Sequence, residues 1–394
     1  MKGKKRHDFF YALLRTVFKR YLTRNFNFQY DKLECSSAPY IVAANHVSNW
    51  DPILIGLSFK KPMYYVASDH LLRKAKGRFI QYAISPIPRM KTANETQTVI
   101  TIFKRLKEKL NICVFVEGTT TFDGVTGEIQ PSIGKLVKRA GVTLLTYKFS
   151  GTFFTSPRWA RFHKKGITQG RLVNTYSPEK IALMSEDEIY NAIKNDIYVN
   201  AYNDQERNPA AFKGKKRAEY LETILYCCPE CKQIGTLKSR GDTVFCSRLE
   251  CGFKVHYNER CYFEFPDGNP APYKTITDWI KWEREELDDL VKKTKDCNTA
   301  LFSDEDQELI ETVKSKENIA VAKGKLCLYK DRLSFTDKSG SLYEFFIKDI
   351  IDIGVITRKT LIFAAPNKVY EVHSKNQRSA LKYMDIVRKL KFKE

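Results

Sequence analysis

The chain has 394 residues, 43% of them hydrophobic, and a formal net charge of +21 at pH 7. This length exceeds one ordinary core, so we expect two or three domains, and a cationic excess of this size attracts phosphate on lipid, nucleic acid or small substrates. The sequence contains no run of about 18 apolar residues, so no transmembrane helix is predicted, and its N-terminus lacks the short apolar core of a secretory signal.

The N-terminal segment is strongly basic. Its first 24 residues carry eight basic side chains against one acid, Asp8. On a helix its apolar side chains form one face flanked by cations, namely Phe10, Leu13, Leu14, Val17 and Tyr21. Such a helix can lie in the interface of an anionic bilayer, so residues 1–30 are predicted to be a basic amphipathic membrane-surface segment. A helix packed on its own domain is the alternative.

Strand and helix patterns alternate from about residue 31 to residue 215, where a basic connection follows. The predicted strands are Tyr40–Ala44, Pro62–Ser68, Ile112–Val116 and Val142–Phe149, and the predicted helices are Thr96–Leu110 and Ser132–Ala140. This alternation indicates an α/β domain, a mixed sheet flanked by helices.

The motif Asn45-His46-Val47-Ser48-Asn49-Trp50-Asp51 directly follows the first of these strands. A histidine with an aspartate five positions later can place both side chains across one turn. The carboxylate then holds one ring nitrogen and leaves the other to accept a proton from an alcohol. This is the base and orienting acid of a catalytic triad, with a substrate hydroxyl in place of the serine. A nearby His and Asp also occur together for purely structural reasons.

Asn45, His46 and Ser48 resemble the first motif of the PlsC-like glycerolipid acyltransferases, the family that contains the lysophosphatidate acyltransferases. Further blocks follow in the family's order: Pro86-Ile87-Pro88-Arg89, then Glu117-Gly118-Thr119 after an apolar strand, then the buried strand 141–145. The resemblance covers roughly residues 30–160 and implies an α/β acyltransferase core.

The resemblance implies that His46 is the general base, that Asp51 orients it, and that Arg89 grips the acceptor's phosphate. The other implied substrate-binding residues are Asn45, Ser48, Glu117, Gly118 and Thr119. Transfer of a fatty-acyl group from acyl-CoA or acyl carrier protein to lysophosphatidate would give phosphatidate. Glycerol 3-phosphate or another lysophospholipid is the alternative acceptor. Arg89 as an exposed charge and Glu117 as a helix-start carboxylate are the structural alternatives.

Two positions depart from the family pattern. Val116 stands where the family usually has proline, and Thr120 stands where it usually has arginine. These changes bear on which acceptor is used more than on the type of reaction. The missing positive charge could come from nearby cations, namely Lys135, Lys138, Arg139 and Arg158.

A cysteine-rich module spans residues 226–265. Cys228 and Cys231 form a C-x2-C knuckle, and Cys246 and Cys251 follow as C-x4-C. Four thiolates in two knuckles predict a zinc ribbon with a closed tetrahedral site, structural rather than catalytic. Gly235 and Gly252 suit the turns after the knuckles. Free core cysteines, or ligation by Cys227, Cys261 or His256, are the alternatives.

The C-terminal third has two parts. Residues 266–318 are predicted to be a helical linker, because a charged helical pattern begins near Thr277 and continues to about Lys316. Residues 319–394 contain short strands and a final helix, Gln377–Leu390, and resemble a pleckstrin-homology or GRAM-like small barrel with one closing helix.

The predicted function is therefore that of an acyltransferase peripheral to the inner, cytoplasmic face of the cell membrane. Its expected partners are an anionic membrane surface and a lysophospholipid, with acyl carrier protein as one of the two candidate donors. A zinc ribbon on a basic chain also suits nucleic-acid binding, but no recognition-helix or ribonucleoprotein motif is visible, so nucleic acid is not expected as a partner. A non-catalytic lipid-binding scaffold is the third possibility; the intact His46–Asp51 pair argues against it.

Overall fold

A computed structural model describes residues 2–34, 38–72, 75–89, 96–312, 319–366 and 368–392. The chain divides into two compact units, the first comprising residues 1–158 and 162–214 and the second residues 159–161 and 215–394. Every helix in the described ranges is too short or too polar to cross a bilayer.

The first unit contains alternating strands and helices. Its strands are β1 (Phe28–Tyr30), β2 (Tyr40–Ala44), β3 (Met63–Ser68), β4 (Ile87–Arg89), β5 (Asn111–Phe115), β6 (Thr143–Ser150) and β7 (Thr168–Tyr176). Its helices are α1 (Lys2–Asn25), α2 (Asp51–Ser58), α3 (Ala75–Ile84), α4 (Thr96–Lys107), α5 (Ser132–Ala140), α6 (Thr152–Thr155), α7 (Pro178–Leu183), α8 (Glu186–Ile197) and α9 (Ala201–Arg207). The strands and helices predicted between residues 40 and 150 are confirmed to within three residues at each end.

These strands form one mixed sheet in the order β1-β7-β6-β2-β5-β3-β4. The central strands β6, β2, β5, β3 and β4 run parallel, whereas β7 is antiparallel to β6. Strand β2 reads as an unbroken apolar run because all five of its residues are buried. The predicted α/β core, a mixed sheet with flanking helices, is confirmed.

Strand adjacency brings two distant motifs together. β2 and β5 are parallel neighbours with Ala44 opposite Phe115. The two strands therefore end at the same edge of the sheet, where the loops after parallel strands commonly hold ligand groups. His46 lies two residues past the end of β2, and Glu117 lies two residues past the end of β5.

Helix α1 has one buried face and one exposed face. Tyr11 and Leu22 are buried, and the Tyr11 hydroxyl donates to the carbonyls of Gly56 and Phe59. This confirms, for one face, the alternative of a helix packed on its own domain. The other face leaves large apolar side chains in solvent.

The second unit begins with the cysteine-rich module and ends in a larger sheet. Its strands are β8 (Leu237–Arg240), β9 (Thr243–Cys246), β10 (Lys254–Tyr257), β11 (Phe263–Glu264), β12 (Phe302–Thr312), β13 (Ile319–Leu328), β14 (Arg332–Asp337), β15 (Leu342–Phe346), β16 (Asp352–Ile356), β17 (Thr360–Ala365) and β18 (Lys368–Ser374). Its helices are α10 (Ile276–Lys293) and α11 (Leu381–Phe392).

The expectation of a helical linker through residue 318 is wrong over residues 302–312, which form strand β12; residues 313–318 lie outside the described part of the chain. β12 pairs antiparallel with both β13 and β18. Its Glu and Gln residues favour a helix by composition, but its burial alternates, with Gln307 and Leu309 facing inward. A polar inward residue and a bulge between Asp304 and Gln307 hide the period of two in the sequence.

The remaining C-terminal expectation is confirmed as to fold. The described strands form an antiparallel sheet in the order β15-β14-β13-β12-β18-β17-β16. Helix α11 packs on β16 and β17, and its Tyr383 and Ile386 are buried. The helix begins at Leu381, four residues later than predicted. The likeness to pleckstrin-homology or GRAM domains stays a prediction, as do the domain limits drawn from the sequence.

Candidate active site and cysteine cluster

The His46–Asp51 pair is assembled as predicted. The His46 Nδ1 and Asp51 Oδ2 atoms lie 2.8 Å apart. Asp51 is fully buried at the start of α2, and its Oδ2 also accepts hydrogen bonds from the backbone N–H groups of Val47 and Ser48 at 2.6 and 2.9 Å. These donors stabilise the carboxylate against the cost of burying its charge.

The His46 ring is oriented for proton transfer through its other nitrogen. Because Nδ1 faces the carboxylate, Nε2 is the nitrogen left to meet a substrate, and among the described residues it has no hydrogen-bond partner. The ring stacks on Phe115 with centroids 4.4 Å apart, and the His46 side chain is 20% exposed. Phe115 was missed from the sequence; its place at the end of β5, beside β2, is the signal that could have found it.

Asn45 and Ser48 have partners within the chain. The Asn45 amide donates to the Phe149 carbonyl at 3.1 Å and accepts from the Phe149 N–H at 2.8 Å. The Ser48 hydroxyl donates to Asp51 Oδ1 at 2.8 Å. Both residues are buried, so the structure gives them positioning roles, and their predicted contact with substrate stays a prediction.

Glu117 ties its own loop to the histidine motif. Its Oε1 accepts from the His46 N–H at 2.6 Å, and its Oε2 accepts from the Gly127 N–H at 2.5 Å. Burial raises the pKa of the Glu117 carboxyl to about 8, against the opposing effect of these two N–H donors. The loop adds a second bond, from the Thr121 N–H to the His46 carbonyl at 3.0 Å. Glu117 therefore fixes the backbone that carries His46.

Arg89 lies against the Glu-Gly-Thr block. Gly118 has φ of +67°, and a Cβ at this position would collide with the Arg89 guanidinium. Glycine is thus needed here both for the left-handed backbone and for the close approach of the arginine. The structure brings Arg89, Gly118 and His46 to one edge of the sheet.

A second arginine lies behind the same loop. Arg158 donates to the Thr119 hydroxyl at 3.2 Å and to the Thr120 carbonyl at 2.9 Å, and its guanidinium sits 3.8 Å from the Phe122 ring centroid. Burial lowers the pKa of Arg158 to about 9. Of the cations proposed to replace the missing arginine, Arg158 is the one seen bonded to this block.

The other three proposed cations lie on α5. Lys138 donates to backbone carbonyls at the end of α7, including that of Met184, so it caps that helix. Lys135 and Arg139 are exposed.

The four predicted cysteines form one cluster in the second unit. The Sγ atoms of Cys228, Cys231, Cys246 and Cys251 all lie within 4.8 Å of one another. The Cys228–Cys251 and Cys231–Cys246 Sγ separations are 3.6 and 3.8 Å. Four thiolates about 2.3 Å from a tetrahedral Zn²⁺ would be roughly 3.8 Å apart, so the residues present fit a zinc ion.

The alternative ligands lie outside this cluster. The Cys227 Sγ faces the Lys232 carbonyl at 3.4 Å, and His256 Nδ1 is 3.1 Å from the Thr243 hydroxyl. Gly235 and Gly252 have φ of +80° and +66°, as expected for the turns after the knuckles.

A buried carboxylate supports the first knuckle. Glu283 on α10 is fully buried, and its Oε1 accepts from the N–H groups of Tyr226 and Cys227 at 2.6 and 2.7 Å. Burial raises the pKa of this carboxyl. The sequence predicted a charged helix that includes Glu283 and gave no sign of this contact.

Residues 23–150 match a family model described as Acyltransferase. Among solved structures, the chain is similar to the 1-acyl-sn-glycerophosphate (LPA) acyltransferase PlsC from Thermotoga maritima, with 21% sequence identity, a TM-score of 0.41, and coverage of 50% of this chain and 80% of that chain. A comparison with curated protein sequences found no match.

Proposed function

We infer, from the premise that residues 23–150 form a domain of the acyltransferase family, that this protein moves a fatty-acyl group from acyl-CoA or acyl carrier protein to the free hydroxyl of lysophosphatidate, giving phosphatidate. The observation that carries the proposal is the His46–Asp51 hydrogen bond, which holds Nδ1 of the ring and leaves Nε2 as the nitrogen that can accept a proton. Glycerol 3-phosphate and other lysophospholipids are the competing acceptors, because Thr120 replaces the arginine of the family motif.

The chemistry requires one proton relay. His46 Nε2 accepts the proton of the acceptor hydroxyl while the hydroxyl oxygen attacks the thioester carbonyl carbon. The C–S bond then breaks, and the leaving thiolate takes the proton from the imidazolium. Asp51 stabilises the imidazolium while it exists, and no acyl-enzyme is formed.

The acceptor's phosphate would bind at the Glu-Gly-Thr block. Arg89 presents a planar guanidinium beside Gly118, and this group suits bidentate phosphate binding. Arg158 holds the Thr119–Thr120 segment from behind through the two bonds described above. We therefore propose that Arg89 contacts the phosphate and that Arg158 positions the loop.

Zinc would be held by the four clustered cysteines. All four ligand positions come from the protein, which leaves no open site for catalysis. When bound, the ion cross-links the two knuckles of the ribbon and so stabilises the fold.

The protein would act at an anionic membrane surface. The exposed face of α1 carries a stripe one helical turn apart, made of Phe9, Leu13, Val17 and Tyr21, which are 40–63% exposed. Phe79 and Tyr82 of α3 extend it, since both contact Phe10. Exposed cations on α1 flank the stripe, namely Lys4, Lys5, Lys19, Arg20 and Arg24. We call these residues the α1–α3 patch.

The α1–α3 patch leads to the catalytic loop. Tyr21 and Phe18 contact the Trp50 ring at centroid distances of 5.7 and 6.0 Å, and Trp50 immediately precedes Asp51. A bilayer that covers the patch would meet the loop carrying His46 at the interface, where a lysophospholipid resides.

The decisive experiment is acyl transfer by purified protein on anionic vesicles, with acyl-CoA and lysophosphatidate as substrates and His46→Ala as the control. Activity that disappears in the control while folding and zinc content are retained supports the proposal. The proposal is overturned if the native protein shows no transfer with acyl-CoA or acyl carrier protein to any lysophospholipid or to glycerol 3-phosphate.

A further inference from the structure

The second unit contains a polar cavity that the proposed acyl transfer does not use. It has a volume of about 170 Å³ and lies where the N-terminus of α11 meets β8 and β12. Cavities near 150 Å³ hold a benzene-sized molecule, so this one has room for a phosphate group but not for a lipid chain. Its lining is mostly polar and includes Lys238, Arg378, Ser379 and Lys382.

Arg378 is built into the wall with its terminal nitrogens unused. The residue is 7% exposed, and its Nε donates to Gln307 Oε1 at 2.8 Å. Its Nη1 and Nη2 are buried without a hydrogen-bond partner among the described residues. Leaving donors of a buried cation unsatisfied is costly, so this side chain indicates an anionic ligand.

The two buried cations of the cavity wall share one carboxylate. Lys382, 2% exposed, bonds Asp304 at 3.0 Å, and Arg378 lies 3.6 Å from the same carboxylate. Glu305 is paired with Lys325 at 2.9 Å.

Two further charged residues line the cavity. The Glu222 carboxyl accepts from the Ser239 hydroxyl, and burial raises its pKa against the opposing effects of Ser239 and Lys238. Lys238 has no ion pair in the described residues. Two buried cations thus share one carboxylate, with a third cation at the rim.

Two neutral donors complete the arrangement. The Ser379 hydroxyl is buried without a partner among the described residues and lines the cavity. Helix α11 begins two residues after Ser379. The first N–H groups of the helix lack intrahelical acceptors, which favours an anion at this position.

We propose that this cavity binds a phosphate group, with Arg378 as a bidentate donor and Lys238, Lys382 and Ser379 as further contacts. The site is separate from the acceptor site at Arg89 and does not depend on the proposed acyl transfer. The phosphate could belong to a soluble ester or to a lipid headgroup, since both present the same group.

The test is amide hydrogen exchange of the full chain with and without inorganic phosphate, against sodium chloride at equal ionic strength. We expect phosphate to slow exchange in residues 374–385. Lys238→Glu should raise the phosphate concentration for half-maximal protection by about tenfold or more, since it replaces a charged donor with a repelling charge. Lys254→Glu is the matched control, an exposed lysine of the same small sheet that does not line the cavity, and should leave protection unchanged.

A second variant and a lipid arm complete the design. Arg378→Lys keeps the charge but loses the bidentate fork, so it should also weaken protection if it folds. Slower exchange in residues 374–385 with phosphatidate vesicles but not phosphatidylcholine vesicles would identify a lipid source. Protection by inorganic phosphate alone would identify a soluble one. Protection confined to peptides near Arg89, or protection of residues 374–385 that Lys238→Glu leaves intact, would overturn the proposal.

Discussion

Replacing Asp51 with asparagine separates the charge of this residue from its geometry. Asp51 Oδ2 accepts from His46 Nδ1 and from the N–H groups of Val47 and Ser48, while Oδ1 accepts from the Ser48 hydroxyl. An asparagine with its oxygen in the Oδ2 place keeps the first three bonds. Its NH₂ group then donates to Ser48 Oγ, whose hydroxyl only has to rotate. The His46 ring therefore keeps its orientation, and only the negative charge is lost.

The magnitude follows from that charge. A hydrogen bond to a charged group contributes about 1.5–3 kcal/mol, and 1.36 kcal/mol of transition-state free energy corresponds to tenfold in rate. Asp51→Asn should therefore lower kcat by about 10- to 150-fold. His46→Ala removes the base itself and should cost about 100- to 10,000-fold.

The assay is initial-rate acyl transfer to lysophosphatidate on vesicles, alongside thermal unfolding of each variant. Ser48→Ala is the control, because it removes one bond to Asp51 while leaving the charge, and should change kcat little. Native kcat in Asp51→Asn, or a loss explained by unfolding, would refute the assignment of Asp51 as the charge that stabilises the imidazolium.

Three further predictions concern the loop, its carboxylate and the metal. Gly118→Ala should raise KM for a phosphorylated acceptor by displacing Arg89. Gly141→Ala is the control: Gly141 has φ of +57° and no atom within 4 Å of an added Cβ, so this variant should lower stability without changing KM. Equal effects of the two variants on KM would contradict the collision with Arg89. Burial raises the pKa of Glu117 in the folded protein above its value in the unfolded chain. Its contribution to the free energy of unfolding is therefore greatest below about pH 4.5 and is lost as pH rises toward 8. Denaturant titration should therefore show that the free energy of unfolding falls between pH 5 and pH 8 by about 3 kcal/mol more in native protein than in Glu117→Gln. An equal fall in both proteins would contradict a raised pKa of Glu117. Elemental analysis should find one zinc per chain, lost with a drop in thermal stability on chelation or in Cys231→Ser; a chain that stays fully stable without metal would contradict a structural site.

The sequence predicted the central α/β elements well because their signals are local. Strand Tyr40–Ala44 is a continuous apolar run between turn residues, and Ser132–Ala140 is bounded by Pro131 and by Gly141 in the left-handed conformation. The prediction for β12 failed for the opposite reason, since its pairing with β13 and β18 outweighs the helical preference of its Glu and Gln residues. The position of β7 has the same cause, because its antiparallel place beside β6 depends on long-range pairing.

The candidate site divides in the same way. His46 and Asp51 are five residues apart, and the cysteines of each knuckle are at most five apart, so local chain geometry is enough to predict that each pair meets. Spacing could not predict the bond from the His46 N–H to Glu117, 71 residues away, since it exists only because β2 and β5 are parallel neighbours. Spacing also could not predict that the Arg378 Nη1 and Nη2 atoms are buried without a hydrogen-bond partner among the described residues. The order of residues determined which reactive groups are present and which near neighbours they have, whereas strand pairing and burial decided which distant groups they meet and which charges are left without a partner.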